Sequence, residues 1–135
     1  MSLLGKTKGT ELEKEIEDLM KLEAKGVTMY YALARICVEQ GLDDLACELK
    51  KIAEDEAYHA GLYSVLNGHV KEDILPILKG ISEMEAGGAE LIVAFAKRVR
   101  EMGLEEAARE IEKTAIDEEH HGKKLKELVK KYSKQ

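Results

Sequence analysis

The chain has 135 residues, of which 44% are hydrophobic and 36% are charged, with one proline and no tryptophan. This length allows one domain with a hydrophobic core, and the abundant Ala, Leu, Glu and Lys favour long amphipathic helices. The net charge of −6 argues against a nucleic-acid partner, because affinity for phosphates comes largely from Lys and Arg. The sequence has no run of 18 apolar residues and no signal peptide. We therefore predict a soluble cytoplasmic protein with no membrane partner.

Four helices are predicted in chain order. Thr10 and Glu13 have the spacing of a capping box at the start of the first helix. Gly41 and Gly103 are expected to end the first and third helices in the left-handed conformation. Pro76 is expected in the first turn of the third helix. The predicted helices span residues 10–40, 43–66, 77–102 and 104–132.

The two halves of the chain resemble each other. Residues 23–59 align with residues 85–121, an offset of 62 (85 − 23). Because glycines and histidines fall in register, the alignment indicates an internal duplication of a helix, a turn and a second helix. We therefore predict an all-α four-helix bundle as a single domain. It would comprise residues 1–135, with a hairpin at 10–66, a connection at 67–76 and a hairpin at 77–132.

Each half carries an Asp-Glu-x-x-His motif, DEAYH at 55–59 and DEEHH at 117–121. The Glu and His of each motif are three residues apart, so they share one face of a helix. Gly41 lies midway between Glu23 and His59, and the second half repeats this spacing, so each hairpin sets a lone Glu level with a Glu-His pair. The side chains expected at one level of the bundle are Glu23, Glu56, His59, Glu85, Glu118 and His121.

Four carboxylates in a dry interior need compensating positive charge, because burying unpaired charge is very costly. Two divalent cations would neutralise them. A Glu on each of two helices and a Glu-x-x-His on each of the other two are typical of di-iron and di-manganese carboxylate bundles. The mixed oxygen and nitrogen ligands suit Fe or Mn. We predict two Fe ions, with Mn or a mixed pair as the alternative. The competing interpretation is a salt-bridged bundle whose Glu and His side chains face solvent.

Other polar residues have less specific roles. Asp55 and Asp117 precede the motif glutamates and could either hydrogen-bond the ligand imidazoles or remain solvated charges. His120 is left unassigned, and His69 is interpreted as part of the connecting loop. None of these four residues is required by the metal prediction.

The two cysteines form no CxxC pair. Cys37 and Cys47 flank the turn at Gly41, so a disulfide across the turn is conceivable. Measured from the metal-facing positions, however, Cys37 points inward and Cys47 points outward. We therefore predict one core thiol and one surface thiol.

With these motifs in hand, the chain resembles the rubrerythrin group of the ferritin-like superfamily over residues from about 12 to 130. The stretches AEDEAYHA and AIDEEHH are similar to the two Glu-x-x-His segments of that family. Each lone glutamate stands 33 residues before its partner (56 − 23 and 118 − 85), as in the family. The resemblance implies a ferritin-like bundle with a crossover connection.

The resemblance also implies a role for each ligand. Glu56 and Glu118 would bridge the metals, and Glu23 would be a terminal ligand of one metal. Glu85 and His121 would be terminal ligands of the other.

Two further residues near the first ligands take their roles from the same resemblance. His59 would be the ligand associated with the reduced state. Tyr30, seven residues after Glu23 and on nearly the same face, is similar to a family tyrosine that hydrogen-bonds the site. Core packing is the alternative role for Tyr30.

The chain departs from the family pattern in two places. No paired CxxC iron ligands follow Tyr132, so electrons are expected from a separate rubredoxin-like donor. Gly88, mirrored by Gly26, stands where the family carries a further Glu, which leaves a symmetric six-ligand set closer to ferritin-type centres. We expect these glycines either to leave room for water, O2 or peroxide at the metals or to allow close helix packing.

The resemblance implies a di-iron peroxidase that reduces hydrogen peroxide to water with electrons from the external donor. The alternative is a ferroxidase or iron-storage protein that oxidises Fe(II) with O2 or peroxide, and an oxygenase acting on an organic substrate is a third option. A ten-residue connection reaches about 33 Å, barely the length of the bundle. We therefore predict a homodimer, with or without exchange of hairpins between chains.

Overall fold

The computed structural model of the chain describes residues 2–134, which contain four α-helices and no strand. This confirms the predicted all-α class and is consistent with a four-helix bundle. The chain divides into two compact units, one up to Glu72 and one from Asp73, and each is a helical hairpin. The single domain expected over residues 1–135 stays a prediction. The helices are α1 (Glu13–Glu39), α2 (Asp43–Leu66), α3 (Leu75–Glu101) and α4 (Glu105–Tyr132).

Both hairpins turn at a glycine, as predicted. Gly41 and Gly103 have φ angles of +74° and +83°, a region that glycine adopts without steric cost. The N–H of Leu42 donates to the carbonyl of Cys37 at 2.8 Å, and the second turn repeats this bond at 3.4 Å. This Schellman arrangement satisfies carbonyls at the helix end and fixes where the returning helix begins.

The predicted capping box at the start of α1 does not form. The hydroxyl of Thr10 accepts a hydrogen bond from the N–H of Leu12 at 3.2 Å and donates to the carbonyl of Thr7 at 2.7 Å. The carboxylate of Glu13 accepts from the N–H of Gly9 at 2.6 Å. These groups close turns in the segment before the helix, so α1 begins three residues later than predicted.

The third helix begins earlier than predicted. It starts at Leu75 rather than at residue 77, and Pro76 lies in its first turn, as expected. Proline is tolerated there because the first N–H groups of a helix have no intrahelical acceptor.

Residues 2–12 fold back onto the end of α2, which the sequence did not indicate. The N–H groups of Gly5 and Thr7 donate to the carbonyls of Val65 and Leu66 at 2.9 and 3.0 Å. These bonds satisfy carbonyls that the last turn of a helix leaves without an intrahelical donor. The first hairpin is therefore closed at its open end by its own N-terminal segment.

Asn67 anchors this closure and is buried, with 4% of its surface exposed. Its amide nitrogen donates to the Glu13 carbonyl at 2.9 Å and to the Glu17 carboxylate at 3.1 Å, and its oxygen accepts from the Thr7 hydroxyl at 2.5 Å. His69 Nε2 lies 2.6 Å from the same Glu17 carboxylate. These hydrogen bonds, with that of His69 the larger cause, lower the pKa of Glu17 below its usual range. His69 therefore ties the loop to α1, a role beyond the one interpreted from the sequence.

The second hairpin is braced near its turn by an arginine. The guanidinium of Arg100 forms a bidentate pair with the Glu112 carboxylate at 2.8 and 2.9 Å and also donates to Glu105 at 2.9 Å. The pair with Arg100 lowers the pKa of Glu112. The corresponding residues of the first hairpin, Val38 and Lys50, cannot form this pair.

Small side chains line the contact between the paired helices. In the first hairpin, Ala34, Cys37 and Ala46 form a buried cluster. In the second, Ala96 and Ala108 are completely buried. The distance between packed helices depends on the side chains at the contact, so alanine at these positions allows close approach.

Each hairpin also presents large apolar side chains that it does not bury. On α1, four of them fall within an arc of about 80° around the helix axis at 3.6 residues per turn. On α3, four more occur at the corresponding positions. An apolar stripe of this kind indicates a packing face. The stripes consist of Leu19, Leu22, Met29 and Leu33 on α1, and of Ile81, Met84, Leu91 and Phe95 on α3.

The cysteine prediction is confirmed. Cys37 is buried, Cys47 is exposed, and both are free thiols. Over residues 2–134, no helix combines the length and the hydropathy that a membrane crossing requires.

Candidate metal centre

The first hairpin brings Glu23, Glu56 and His59 together. Each offers one ligand atom, and these atoms all lie within 4.8 Å of one another. His59 Nδ1 lies 3.6 Å from Glu23 Oε2. The turn at Gly41 explains this grouping, because an antiparallel hairpin places residues equally distant from its turn at the same height. We call these three residues the first half-site.

The second hairpin repeats the arrangement with Glu85, Glu118 and His121, the second half-site. Its ligand atoms also lie within 4.8 Å of one another. His121 Nδ1 lies 3.6 Å from Glu85 Oε2 and 3.7 Å from Glu118 Oε2. The structure thus groups all six predicted ligands into two triads, and metal binding by these triads stays a prediction.

The lone glutamates carry the observation that favours a cation. One oxygen of Glu23 and one of Glu85 are inaccessible to solvent and make no hydrogen bond. Buried polar atoms almost always have a partner, because an unpaired one costs roughly 1–3 kcal/mol. Their separation of 3.6 Å from the imidazole nitrogens is too long for a hydrogen bond. It suits two ligands of one ion at metal–ligand distances of about 2.0–2.2 Å, so the residues fit a metal.

The ligand side chains are only partly buried within their hairpins. The side chain of Glu23 is 17% exposed, whereas that of His121 is 58% exposed. This difference in exposure fits the two residue types, because burying a carboxylate without a cation costs more free energy than burying a neutral imidazole.

Tyr30 does not hydrogen-bond a predicted ligand among the described residues. It is half-buried on α1, and its counterpart in the second hairpin is Ile92. Its role at the proposed site stays a prediction, with core packing as the alternative.

Asp55 and Asp117 are exposed and form no hydrogen bond with the described residues. This favours solvated charge over orientation of the ligand imidazoles. His120 is likewise exposed, next to Glu119, whose pKa is lowered mainly by its hydrogen bond with Lys123.

The two glycines one turn after the lone glutamates have different surroundings. A Cβ added at Gly26 would lie 3.3 Å from Glu56 Oε2, whereas a Cβ added at Gly88 would meet nothing within 4 Å. The sequence left open whether these glycines serve close packing or open space. The structure shows close packing against a ligand carboxylate at Gly26 and open space at Gly88.

A groove of the second hairpin lies away from the candidate ligands. It has a volume of about 1220 Å³, and its floor includes Ala86, Ala89 and Val93 of α3 and Ala115 and Ile116 of α4. None of the six candidate ligands lines it. The chemistry that the carboxylates and imidazoles can support is therefore not located in this groove.

The chain is all-α and carries two carboxylate-histidine triads. It therefore belongs to the class of helical proteins that could hold metal ions between paired helices. No family model matches the sequence. The chain is 34% identical over 131 residues to the uncharacterized protein MJ0746 of Methanocaldococcus jannaschii, covering 97% of this chain and 93% of that protein. It belongs to the same family as MJ0746.

A second relative indicates the wider group. The chain is 29% identical over 136 residues to reverse rubrerythrin-1 of Clostridium acetobutylicum, covering 97% of this chain and 74% of that protein. This weaker similarity supports membership of the ferritin-like di-iron superfamily. The predicted resemblance is thus supported at the level of the superfamily.

Proposed function

We propose that the chain is a non-haem di-iron oxidoreductase of the rubrerythrin type that reduces hydrogen peroxide to water. The buried oxygens of Glu23 and Glu85 that lack a hydrogen bond carry the metal-binding part of this proposal, because a cation would satisfy them in the same place in both hairpins. The candidate triads and the similarity to reverse rubrerythrin-1 support it.

In the proposed centre, the two half-sites would combine to offer four carboxylates and two imidazoles to two metal ions. Glu56 and Glu118 would bridge the ions, and the four remaining residues would be terminal ligands. A di-iron centre supplies two electrons, which with two protons convert one hydrogen peroxide to two molecules of water. The contribution of the chain is to hold the ligands in place and to carry the negative charge that stabilises the cations.

We further propose that the apolar stripes of α1 and α3 are covered when two hairpins pack, within one chain or between two copies. Leaving eight large apolar side chains in water is costly, at roughly 25 cal/mol for each Å². A homodimer with or without exchanged hairpins would remove that cost. Size-exclusion chromatography with light scattering should give the mass of a dimer. The mass of a monomer would count against the dimer and leave packing of the two stripes within one chain.

Iron loading tests the function directly. We expect two bound Fe for each set of four candidate glutamate ligands. After oxidation, an oxo-bridged iron pair should absorb in the near ultraviolet. Glu23→Gln and Glu85→Gln should each reduce bound iron. The matched controls, Asp55→Asn and Asp117→Asn, remove the same charge from exposed neighbours and should retain it. If the wild-type protein binds no iron, or if all four variants bind equally, the proposal is wrong.

The partial exposure of the ligand imidazoles within their hairpins also favours the ferroxidase alternative, since accessible ligands allow iron to exchange. The reduced, iron-loaded protein separates the two functions. A peroxidase should be oxidised by hydrogen peroxide far faster than by O2. A ferroxidase should instead consume many Fe(II) per chain.

A further inference from the structure

We propose that Ser82 is a positioning residue for the second half-site, because its hydroxyl ties α3 to α4 beside the candidate ligands Glu85 and His121. The inference rests on the proposed function. It adds that the geometry of one half-site depends on a hydrogen bond between its two helices, whereas the geometry of the other does not.

The hydrogen bond of Ser82 joins the two helices directly. Ser82 is buried, and its hydroxyl donates to the carbonyl of Gly122 at 2.8 Å. A serine inside a helix commonly bonds a carbonyl of its own helix instead. A bond to the neighbouring helix restrains both the distance between α3 and α4 and their register.

Gly122 allows the two helices to meet closely at this height. A Cβ built at Gly122 would lie 3.1 Å from the Ser82 carbonyl oxygen and 3.3 Å from the Ala86 nitrogen, and both are backbone atoms. The same Cβ would lie 3.6 Å from the Cβ of Glu85. The backbone of α4 therefore packs against the turn of α3 that carries the lone glutamate.

This contact stands next to two candidate ligands. Ser82 precedes Glu85 by three residues, so the two share one face of α3, and Gly122 directly follows His121. Glu85 Oε2, which is buried and lacks a hydrogen bond, lies 3.6 Å from His121 Nδ1. Metal–ligand bonds of about 2.0–2.2 Å tolerate little error. A restraint on the two helices here is therefore a restraint on the ligand pair.

The first half-site has no counterpart of this hydrogen bond. Met20 and Ala60 occupy the corresponding positions of α1 and α2, and neither side chain can donate to a carbonyl. The ligands of the first half-site are therefore positioned without it. Removal of the Ser82 hydroxyl should affect the metal ion held by Glu85 and His121 and spare the other.

Calorimetric titration with Fe(II) in the absence of oxygen tests the inference. Ser82→Ala should weaken the binding of one of the two ions by about tenfold, the lower end of the cost of removing a group that supports a metal ligand. The affinity of the other ion should be unchanged. Tm should change little, because the better helix propensity of Ala offsets the lost hydrogen bond.

Ala108→Gly is the matched control. Ala108 is completely buried in the second hairpin, but it lies ten residues (118 − 108), or about 15 Å, from Glu118. Loss of its methyl group and the poor helix propensity of Gly should lower Tm more than Ser82→Ala does. Both Fe(II) affinities should be retained, because the contact beside the ligands is intact.

The outcomes separate this inference from the function on which it rests. Two unchanged affinities in Ser82→Ala would overturn the inference and leave the di-iron function intact. Equal weakening of both ions would also overturn it, as would the same loss in Ala108→Gly, because the hydroxyl would then act through stability alone. Failure of the wild-type protein to bind Fe(II) defeats both.

Discussion

The two hairpins present the same candidate ligands, two glutamates and one histidine, at the same spacing but in different surroundings. In the first, a ligand carboxylate packs against Gly26, and residues 2–12 close the open end of the hairpin. In the second, the space beside Gly88 is open and Arg100 braces the turn. The position of each candidate ligand is thus set by its distance from the turn. The surroundings of the candidate ligands are set by residues that the two halves do not share.

The hairpins also differ in how closely their helices approach near the ligands. In the second, Ser82 donates to the carbonyl of Gly122 at 2.8 Å, and a Cβ at Gly122 would lie 3.1 Å from the Ser82 carbonyl. The corresponding residues of the first hairpin are Met20 and Ala60. The second hairpin therefore depends on a glycine where the first tolerates a side chain.

The largest expected difference between the two half-sites is the loss of iron affinity when their histidines are removed. His121 Nδ1 lies within 3.7 Å of a carboxylate oxygen of each glutamate in its half-site, whereas His59 Nδ1 lies 3.6 Å from Glu23 Oε2 and less close to Glu56. His121→Ala should lower iron affinity more than His59→Ala, and each loss should exceed the roughly 10–100-fold cost of removing a group that only supports a metal ligand. Iron titration measures both, with exposed His120→Ala as the control. Equal losses in the two variants would show that the half-sites are equivalent.

A smaller effect, a change in stability, is expected from glycine substitutions that test how closely the helices of each hairpin pack. Gly122→Ala should destabilise the protein by about 1–3 kcal/mol, because its Cβ meets backbone atoms that cannot move easily. Gly61→Ala, in the interior of α2 with nothing within 4 Å of its Cβ, should stabilise by up to about 1 kcal/mol. Chemical denaturation gives both values. A gain in stability for Gly122→Ala would contradict the close approach of α3 and α4.

The smallest effect concerns the closure of the first hairpin by residues 2–12. The pKa of Glu17 is lowered by hydrogen bonds with His69 and Asn67, so its stabilising contribution is present above the pKa of an unfolded glutamate, about 4.3. This contribution is lost as pH falls through the lower, folded pKa. Glu17→Gln should therefore reduce the difference in denaturation midpoint between pH 6 and pH 3. The same difference in both proteins would show that this carboxylate does not hold the closure.

The features that follow from local signals could be predicted from the sequence. Gly41 and Gly103 end helices because their backbone needs positive φ, and the period of apolar residues indicates the helices between them. The start of α1 could not be predicted in the same way. It depends on hydrogen bonds between residues 2–12 and the end of α2, some 60 residues away, and no local pattern encodes that pairing.

The candidate site could likewise be predicted from the sequence only in part. Spacing from the turn was enough to group Glu23 with Glu56 and His59, because hairpin geometry fixes the height of each residue. Spacing could not distinguish Gly26 from Gly88, since that difference depends on the direction of the opposing glutamate side chain.

The unequal burial of the two cysteines has a practical consequence. A maleimide or methanethiosulfonate reagent should modify Cys47 and spare Cys37, which is 9% exposed, because reaction requires access to the sulfur. The native chain thus offers one attachment point for a nitroxide beside the first turn. Pulsed electron resonance between two such labels would measure the separation of the subunits in a dimer without any mutation.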